Sequence, residues 1–267
     1  MNKYWSIFKI SFAQEFAYKM NFIMWRFRNV LQIFVVFFLW SAVFTNPETV
    51  VFGYDKSKIL TYVFGILVLR ALVLSSRTVD VAQEISSGNI TNYLLKPINY
   101  FKFWFTRDIS SKALNISFAI VEIVILFFIL KPPLFIQTNP MILLSFFISI
   151  ILAILLFFLL LFITNLINFW MPEAGWPVQF LFVVIIMEFL SGGVFPIDIL
   201  PILIQKVLYV LPFPYLLFFP LQVYLGKIDL MESFQGIVIA SSWVVFLWWA
   251  LNQTWQKGIK HYSAEGR

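Results

Sequence analysis

The segment RTVDVAQEISSGNITNYLLKPINYFKFWFTRDISSK, residues 77–112, is a polar, basic insert between two apolar runs. Its flanks, Ile59–Ser76 and Ala113–Leu130, each carry nearly the 20 or so apolar residues that cross a hydrocarbon core. Within it, Val79, Val81, Ala82, Ile85 and Ile90 alternate with Asp80, Gln83, Glu84, Ser86 and Ser87 and run into Gly88-Asn89. That pattern predicts a short amphipathic helix with a glycine stop. After Pro97 come Tyr100, Phe101, Phe103, Trp104 and Phe105 with Lys102 and Arg107, an aromatic and basic run suited to a headgroup layer. The insert is the largest wet segment on its side of the chain. It reads either as a handle for a soluble partner or as an ordinary interfacial loop.

The residues around the insert explain why a wet segment stands out. The chain is 61% hydrophobic and only 12% charged, against about 25% charged in soluble domains, so its solvent is the bilayer. Six segments are apolar enough to cross: Asn29–Thr45, Ile59–Ser76, Ala113–Leu130, Met141–Ile167, Val178–Phe195 and Phe234–Leu251. Lys and Arg are unevenly shared between the two sides. The N-terminal segment, the insert and the tail carry most of them, whereas the opposite side has Lys56, Lys58, Lys131, Lys206 and Lys227. The positive-inside rule places both termini and the insert in the cytoplasm, so the basic balance reflects membrane topology rather than nucleic-acid binding.

Two further segments are irregular. The first 20 residues show no continuous apolar core and no small-residue cleavage site of a signal peptide. Trp5, Phe8, Phe12, Phe16 and Met20 recur at helical spacing, with Lys3, Lys9 and Lys19 beside them. This predicts an interfacial amphipathic helix within residues 1–28, or else an extension of the first span packed on its neighbours. Between the last two spans, residues 196–226 are apolar but interrupted by Pro201, Pro212, Pro214 and Pro220. Proline removes a donor and clashes with the preceding turn, so two half-helices are expected, as a re-entrant hairpin or as a surface-lying pair.

Enzyme signatures are sparse. Phosphate-loop and zinc-protease motifs do not occur, cysteine is absent, and the single histidine is His261 in the tail. The chain is therefore not expected to catalyse a reaction or to bind a cofactor or metal. Arg70, Glu122 and Glu188 fall inside spans, where ionisable groups mark function unless they are paired or snorkel. Glu122 is placed to pair with Arg70, or Arg70 to snorkel, while Glu188 has no basic partner in the pattern. Asp198 lacks a carboxylate partner for acid–base work. The abundance of Phe, Leu and Trp predicts an apolar transport cavity.

Three motifs carry a resemblance. They are Glu84-Ile85-Ser86-Ser87-Gly88-x-Ile90-x-x-x-Leu94-Leu95-x-Pro97, then Ser191-Gly192-Gly193-Val194-Phe195-Pro196-x-Asp198-x-x-Pro201, and the opening 12–19 with 25–29. Their order resembles the membrane subunit of ABC-2-type ABC exporters. The resemblance implies an all-α membrane protein with six transmembrane helices, an N-terminal interfacial helix, a coupling helix in the insert and an outer re-entrant hairpin. It implies ATPase coupling through Val81, Glu84, Ile85, Gly88, Ile90, Leu94 and Leu95. It also implies an outer gate at Gly192, Gly193, Phe195, Pro196, Asp198 and Pro201. The implied partners are two separate ABC ATPase subunits holding ATP and Mg, membrane lipids, and a second or related permease. The implied setting is a cell membrane, the bacterial plasma membrane being the expected one. The implied cargo is lipophilic or amphipathic and moves outward. An ATP-independent secondary transporter or channel is the alternative, with Arg70, Glu122 and Glu188 as its ion carriers. A lipid-modifying enzyme is disfavoured by the missing histidine and cysteine chemistry.

Overall fold

The computed structural model describes residues 3–17, 19–46 and 49–262, with side chains other than those of 16–23, 25 and 184. Phe16, Tyr18, Lys19, Met20, Trp25 and Arg267 of the sequence reading lie outside the described side chains.

Helix α1, Lys3–Ala17, leads into α2, Lys19–Val43. Helix α3, Lys56–Leu69, starts at Asp55, whose side chain accepts from the backbone N–H of Lys58 at 2.7 Å, and ends in a π turn over Arg70–Leu74. The insert contributes α4, Asp80–Ser86, and α5, Thr91–Leu94. Asn99 caps α6, Tyr100–Leu130, which stops at left-handed Lys131 before Pro132-Pro133. Helix α7, Pro140–Leu166, has proline in its first turn, where the missing donor costs nothing. The next rod comprises α8, Gly175–Gln179, a π stretch over Phe180–Met187, and α9, Glu188–Leu190. After it come α10, Ile202–Val210, and α11, Phe218–Tyr224. A capping box of Asp229 and Glu232 opens the last helix, α12, Leu230–His261.

Six of these rods are long and apolar enough to cross a membrane: Arg26–Val43, Lys56–Leu74, Tyr100–Leu130, Pro140–Phe169, Pro172–Leu190 and Leu230–His261. The protein is an all-α, multi-pass membrane protein. Four spans depart from the sequence reading, the sixth by running on to His261 rather than ending at Leu251. The third begins at Tyr100 rather than Ala113. Tyr100 and Trp104 are buried rather than set in a headgroup layer, with Tyr100 stacked on Trp255 at 5.1 Å between ring centres. Asp108 and Lys112 are buried as well, so the last third or so of the insert is helix with one face packed inside the protein. The fifth span runs from Pro172 to Leu190, leaving Phe195 in the loop beyond it. The first includes Arg26, whose charge had marked it as lying outside.

Helix α7 forms the centre, with Ala153, Leu156, Phe157 and Phe162 fully buried. It packs against α12, α11, α4 and the π turn of α3. Helix α1 packs along α6: Ser110 Oγ donates to the Phe8 carbonyl at 3.1 Å and Arg77 pairs with Glu15. Its other face leaves Trp5 and Ile10 exposed, so the packed extension holds on one side while an apolar surface remains on the other. The two half-helices expected from the prolines are α10 and α11. Helix α11 is buried: Leu221 reaches Gly65 of α3, Tyr224 meets Phe146 of α7 at 5.1 Å, and Phe219 lies on Gly236 of α12. Those contacts fall six to nine residues along their helices, about 9–14 Å at 1.5 Å per residue. Helix α11 thus enters between the long helices, whereas α10 leaves Ile202, Leu203, Val207 and Val210 exposed. The buried backbone of α11 is covered by protein, as irregular structure at membrane depth requires.

Candidate functional site

At the insert end, α4 is held by side chains from two other rods. Asn165 Nδ2 donates to the Thr78 carbonyl at 2.6 Å. Gln179 Nε2 donates to the Val79 carbonyl at 2.8 Å and to Asn165 Oδ1 at 2.7 Å. Val81, Ile85 and Ile90 are buried against this seat. These three were expected to face a partner, but an amphipathic helix on a protein core turns its apolar side inward, so they anchor the insert instead. Outward-facing residues are Gln83, Ser87, Asn89, Leu94 and Leu95, the last 81% exposed. Gly88 makes the predicted stop at φ +78°, and its carbonyl accepts from Tyr262 Oη at 2.9 Å. Glu84 accepts from Tyr100 Oη at 2.7 Å. Burial raises the Glu84 carboxyl above its ordinary 4.5, with the Tyr100 hydrogen bond opposing. Burial also raises Asp80, which Arg77 and Arg107 approach at 3.9 and 3.8 Å.

Above the insert lies a vestibule of about 990 Å³. Its lower wall includes Gln83, Glu84, Ser87 and Asn89; its sides take in Glu15, Arg26, Arg28, Arg107 and Asn115; its roof is Arg70 with Glu188. The apolar cavity expected from composition is therefore a polar, charged one, because the long helices turn their apolar faces outward and pair their few charges inside. Arg70 neither snorkels nor meets Glu122. Its Nη2 donates to Glu188 Oε2 at 2.5 Å and to the Gly193 carbonyl at 2.8 Å, while Nη1 donates to Gln32 Oε1 at 2.8 Å. Glu122 pairs with Arg26 at 3.2 Å, and Arg26 also donates to the Asn115 carbonyl. Both pairings follow from azimuth, which depth along a helix does not reveal. Nearby, Lys112 Nζ meets Asp108 at 3.2 Å and donates to the Val73 carbonyl at 3.0 Å and to the Ser75 carbonyl. It thereby caps the end of α3 from another helix.

Over the roof is a second, apolar slot of only about 30 Å³, lined by Ile33, Val36, Trp40, Val63, Ile66 and Leu67 and sharing Asn29 and Arg70 with the vestibule. Of the six residues expected at an outer gate, Gly193 and Pro196 line it. Gly192 sits buried at φ +79°, and its carbonyl accepts from Tyr62 Oη at 2.6 Å. A Cβ there would come within 2.9 Å of both Phe218 and the Tyr62 hydroxyl. Gly193 and Pro196 are buried beside it, Phe195 is half-buried, and Pro201 is exposed at the start of α10. Asp198 does have a partner, though a cationic one: Lys227 Nζ at 2.5 Å, with Tyr54 Oη donating at 3.1 Å. Burial lowers the Lys227 ammonium and Asp198 offsets this. The sequence offered no sign of Tyr54, Tyr262, Asn165 or Gln179, each of which acts across more than ten residues of chain.

The polar vestibule thus runs from insert residues Gln83, Ser87 and Asn89 to Arg70 and Glu188, and the Gly192 turn beyond them is tightly packed. Among the described residues, the vestibule lining holds no histidine, cysteine or lysine. The sequence model of the family described as "ABC-2 family transporter protein" matches residues 30–266. That span contains the insert and the hairpin but leaves out the N-terminal helix and its 12–29 motif. A search of curated proteins found no match to the chain.

Proposed function

The chain belongs to the ABC-2 family of transporter proteins, a membrane transport component rather than a catalyst, and we propose that it is the permease subunit of an ATP-driven exporter. Two separate ABC ATPase subunits, carrying ATP and Mg, would grip the insert end, which the charge asymmetry assigns to the cytoplasm together with both termini. A second copy or a related permease would complete the path in the cell membrane. The cargo would be lipophilic or amphipathic, taken from the cytoplasm or the inner leaflet. The observation that carries this reading is the vestibule, which is lined at the insert by Gln83, Glu84, Ser87 and Asn89 and reaches Arg70 and Glu188, both bonded to the Gly193 turn that precedes the hairpin.

The seat of α4 supplies a route for force. A push on the tip reaches residues 78–79, which Asn165 and Gln179 tie to the ends of α7 and of the fifth span. Tilting those two rods together is a rigid-body transition of the kind that opens and closes transport paths. The ATP-independent reading needs Arg70, Glu122 and Glu188 as carriers, and all three are held in ion pairs. Reconstitution of the native complex in proteoliposomes tests the proposal. Leu94→Asp with Leu95→Asp should lower ATP-driven transport at least tenfold without changing thermal stability, because both side chains face outward. Full transport by this variant, or gradient-driven flux by the chain alone, would overturn it.

A further inference from the structure

The border between vestibule and slot carries more information than either cavity alone. Of the charged residues around the vestibule, Arg70 alone also lines the slot, whose other walls are mostly apolar. A solute that entered from the vestibule with a charged head and an apolar body would bring its head to rest at Arg70. The local charge leans toward binding an anion: Arg26, Arg28 and Arg70 line the vestibule together, against Glu188 in the lining and Glu122, which pairs with Arg26 from outside it. Lower down, Arg77 and Arg107 face Glu15, Asp80 and Glu84, and burial biases the last two toward the neutral form.

The hydrogen bonds at Arg70 point the same way. A guanidinium presents five N–H donors, and its Nε and Nη2 form one edge that an oxyanion grips with two parallel bonds. Glu188 takes only Nη2, and the buried Nε has no hydrogen-bond partner. One edge of Arg70 is therefore half used.

We infer that Arg70 is the docking point for the oxyanion headgroup of an amphipathic substrate, and that Glu188 holds the place while the vestibule is empty. This rests on the exporter reading above and names its substrate class. A phosphate or carboxylate head engages Nε and Nη2 together and displaces Glu188, while the apolar body takes the slot between α2 and α3 as it widens. Displacement has a consequence for the gate. The Arg70 Nη2 that holds Glu188 also holds the Gly193 carbonyl, and the Glu188 carbonyl accepts from the Gly193 N–H at 3.1 Å. A headgroup on Arg70 thus loosens the turn that seats Gly192 under the hairpin.

The test uses the purified full chain in phosphatidylcholine nanodiscs without any ATPase, titrated calorimetrically below micellar concentration. The probes are decyl phosphate, decanol, decyltrimethylammonium and inorganic phosphate. Decyl phosphate should bind at least tenfold more tightly than each of the others. Glu188→Gln should tighten its binding at least threefold by removing the competitor, and Arg70→Gln should erase the preference. Because Arg70→Gln strands Glu188, the double variant Arg70→Gln with Glu188→Gln serves as the neutral, fold-preserving check and should show no preference either. Equal binding of the three decyl compounds overturns the inference. So does a preference for the cation, or one that survives in the double variant. Inorganic phosphate binding as tightly as decyl phosphate overturns the amphipathic part. With no ATPase present, failure here leaves the exporter proposal standing, and failure of the Leu94–Leu95 test leaves this binding intact.

Discussion

The two ends of the helical bundle are joined by different chemistry. At the insert end, elements far apart in sequence meet through charge: Arg77 with Glu15, Arg107 with Asp80, and Lys112, paired with Asp108 of its own helix, with the Val73 and Ser75 carbonyls. At the hairpin end they meet mostly through shape: Phe218 on Gly192, Leu221 on Gly65 and Phe219 on Gly236, with one ionic clasp at Asp198 and Lys227. Charged contacts hold two partners at fixed points and leave room for water between them. Close apolar contacts exclude water and tolerate few geometries. The first kind suits an end that receives a solute, and the second an end that must stay shut.

The strongest way to break this contrast is to remove Lys112. Lys112→Met leaves buried Asp108 without its cation, and such a loss costs about 3–5 kcal/mol. Thermal unfolding in nanodiscs should show a large fall, mostly restored when Asp108→Leu is added. A small fall, or no restoration, would mean that Lys112 is not what balances the buried Asp108 carboxylate. Next in size, Gly192→Ala places a side chain at positive φ against Phe218 and Tyr62, an expected loss of about 2–4 kcal/mol from strain and overpacking together. The same unfolding assay reads it, and an unchanged midpoint would show that the hairpin end is looser than its contacts suggest.

The hairpin clasp should come third. Lys227→Met removes a charge-assisted bond to Asp198, a loss of about 1.5–3 kcal/mol, and should speed proteolysis between α10 and α11. Equal cleavage rates would leave shape alone holding that end. The smallest effect is expected from pH at the insert end. Glu84 holds its proton more tightly when folded, so its contribution to stability is complete below about 4.5 and is lost as pH rises through the higher folded value. The unfolding midpoint of the natural chain should drift down over that window. Glu84→Gln should flatten the drift, and an equal slope in both proteins would assign it to other groups.

Much of the architecture could be read from the residues. Hydropathy located the six rods, Gly88 marked the stop after α4, and the four prolines divided 196–226 into half-helices. Partner choice inside the bundle could not be read. Arg70 lay at a depth that suited Glu122, but it opens a π turn, and Glu188 follows a longer π stretch. The i→i+5 bonding of such segments shifts the direction of side chains away from the count of 3.6 per turn. Hydropathy also misplaced the start of α6, because polar residues that find partners, such as Asp108 and Lys112, look wet in a list. Composition gave the mean character of the interior but not its distribution, so the charged vestibule was invisible until the helices were set side by side.

Helix α12 passes both ends of the molecule, and two rings fix its height. Phe219 lies on the bare backbone at Gly236 and Phe169 on that at Gly258, about 33 Å apart along the axis. Shifting the helix lengthwise by a turn would bring side chains under rings that now rest on none. It works like a rod notched twice: free to lean, unable to slide. Through Tyr262 it grips the same Gly88 turn that a soluble partner would push. Whatever stroke arrives there must therefore reach the far end as a change of angle, never as a change of length.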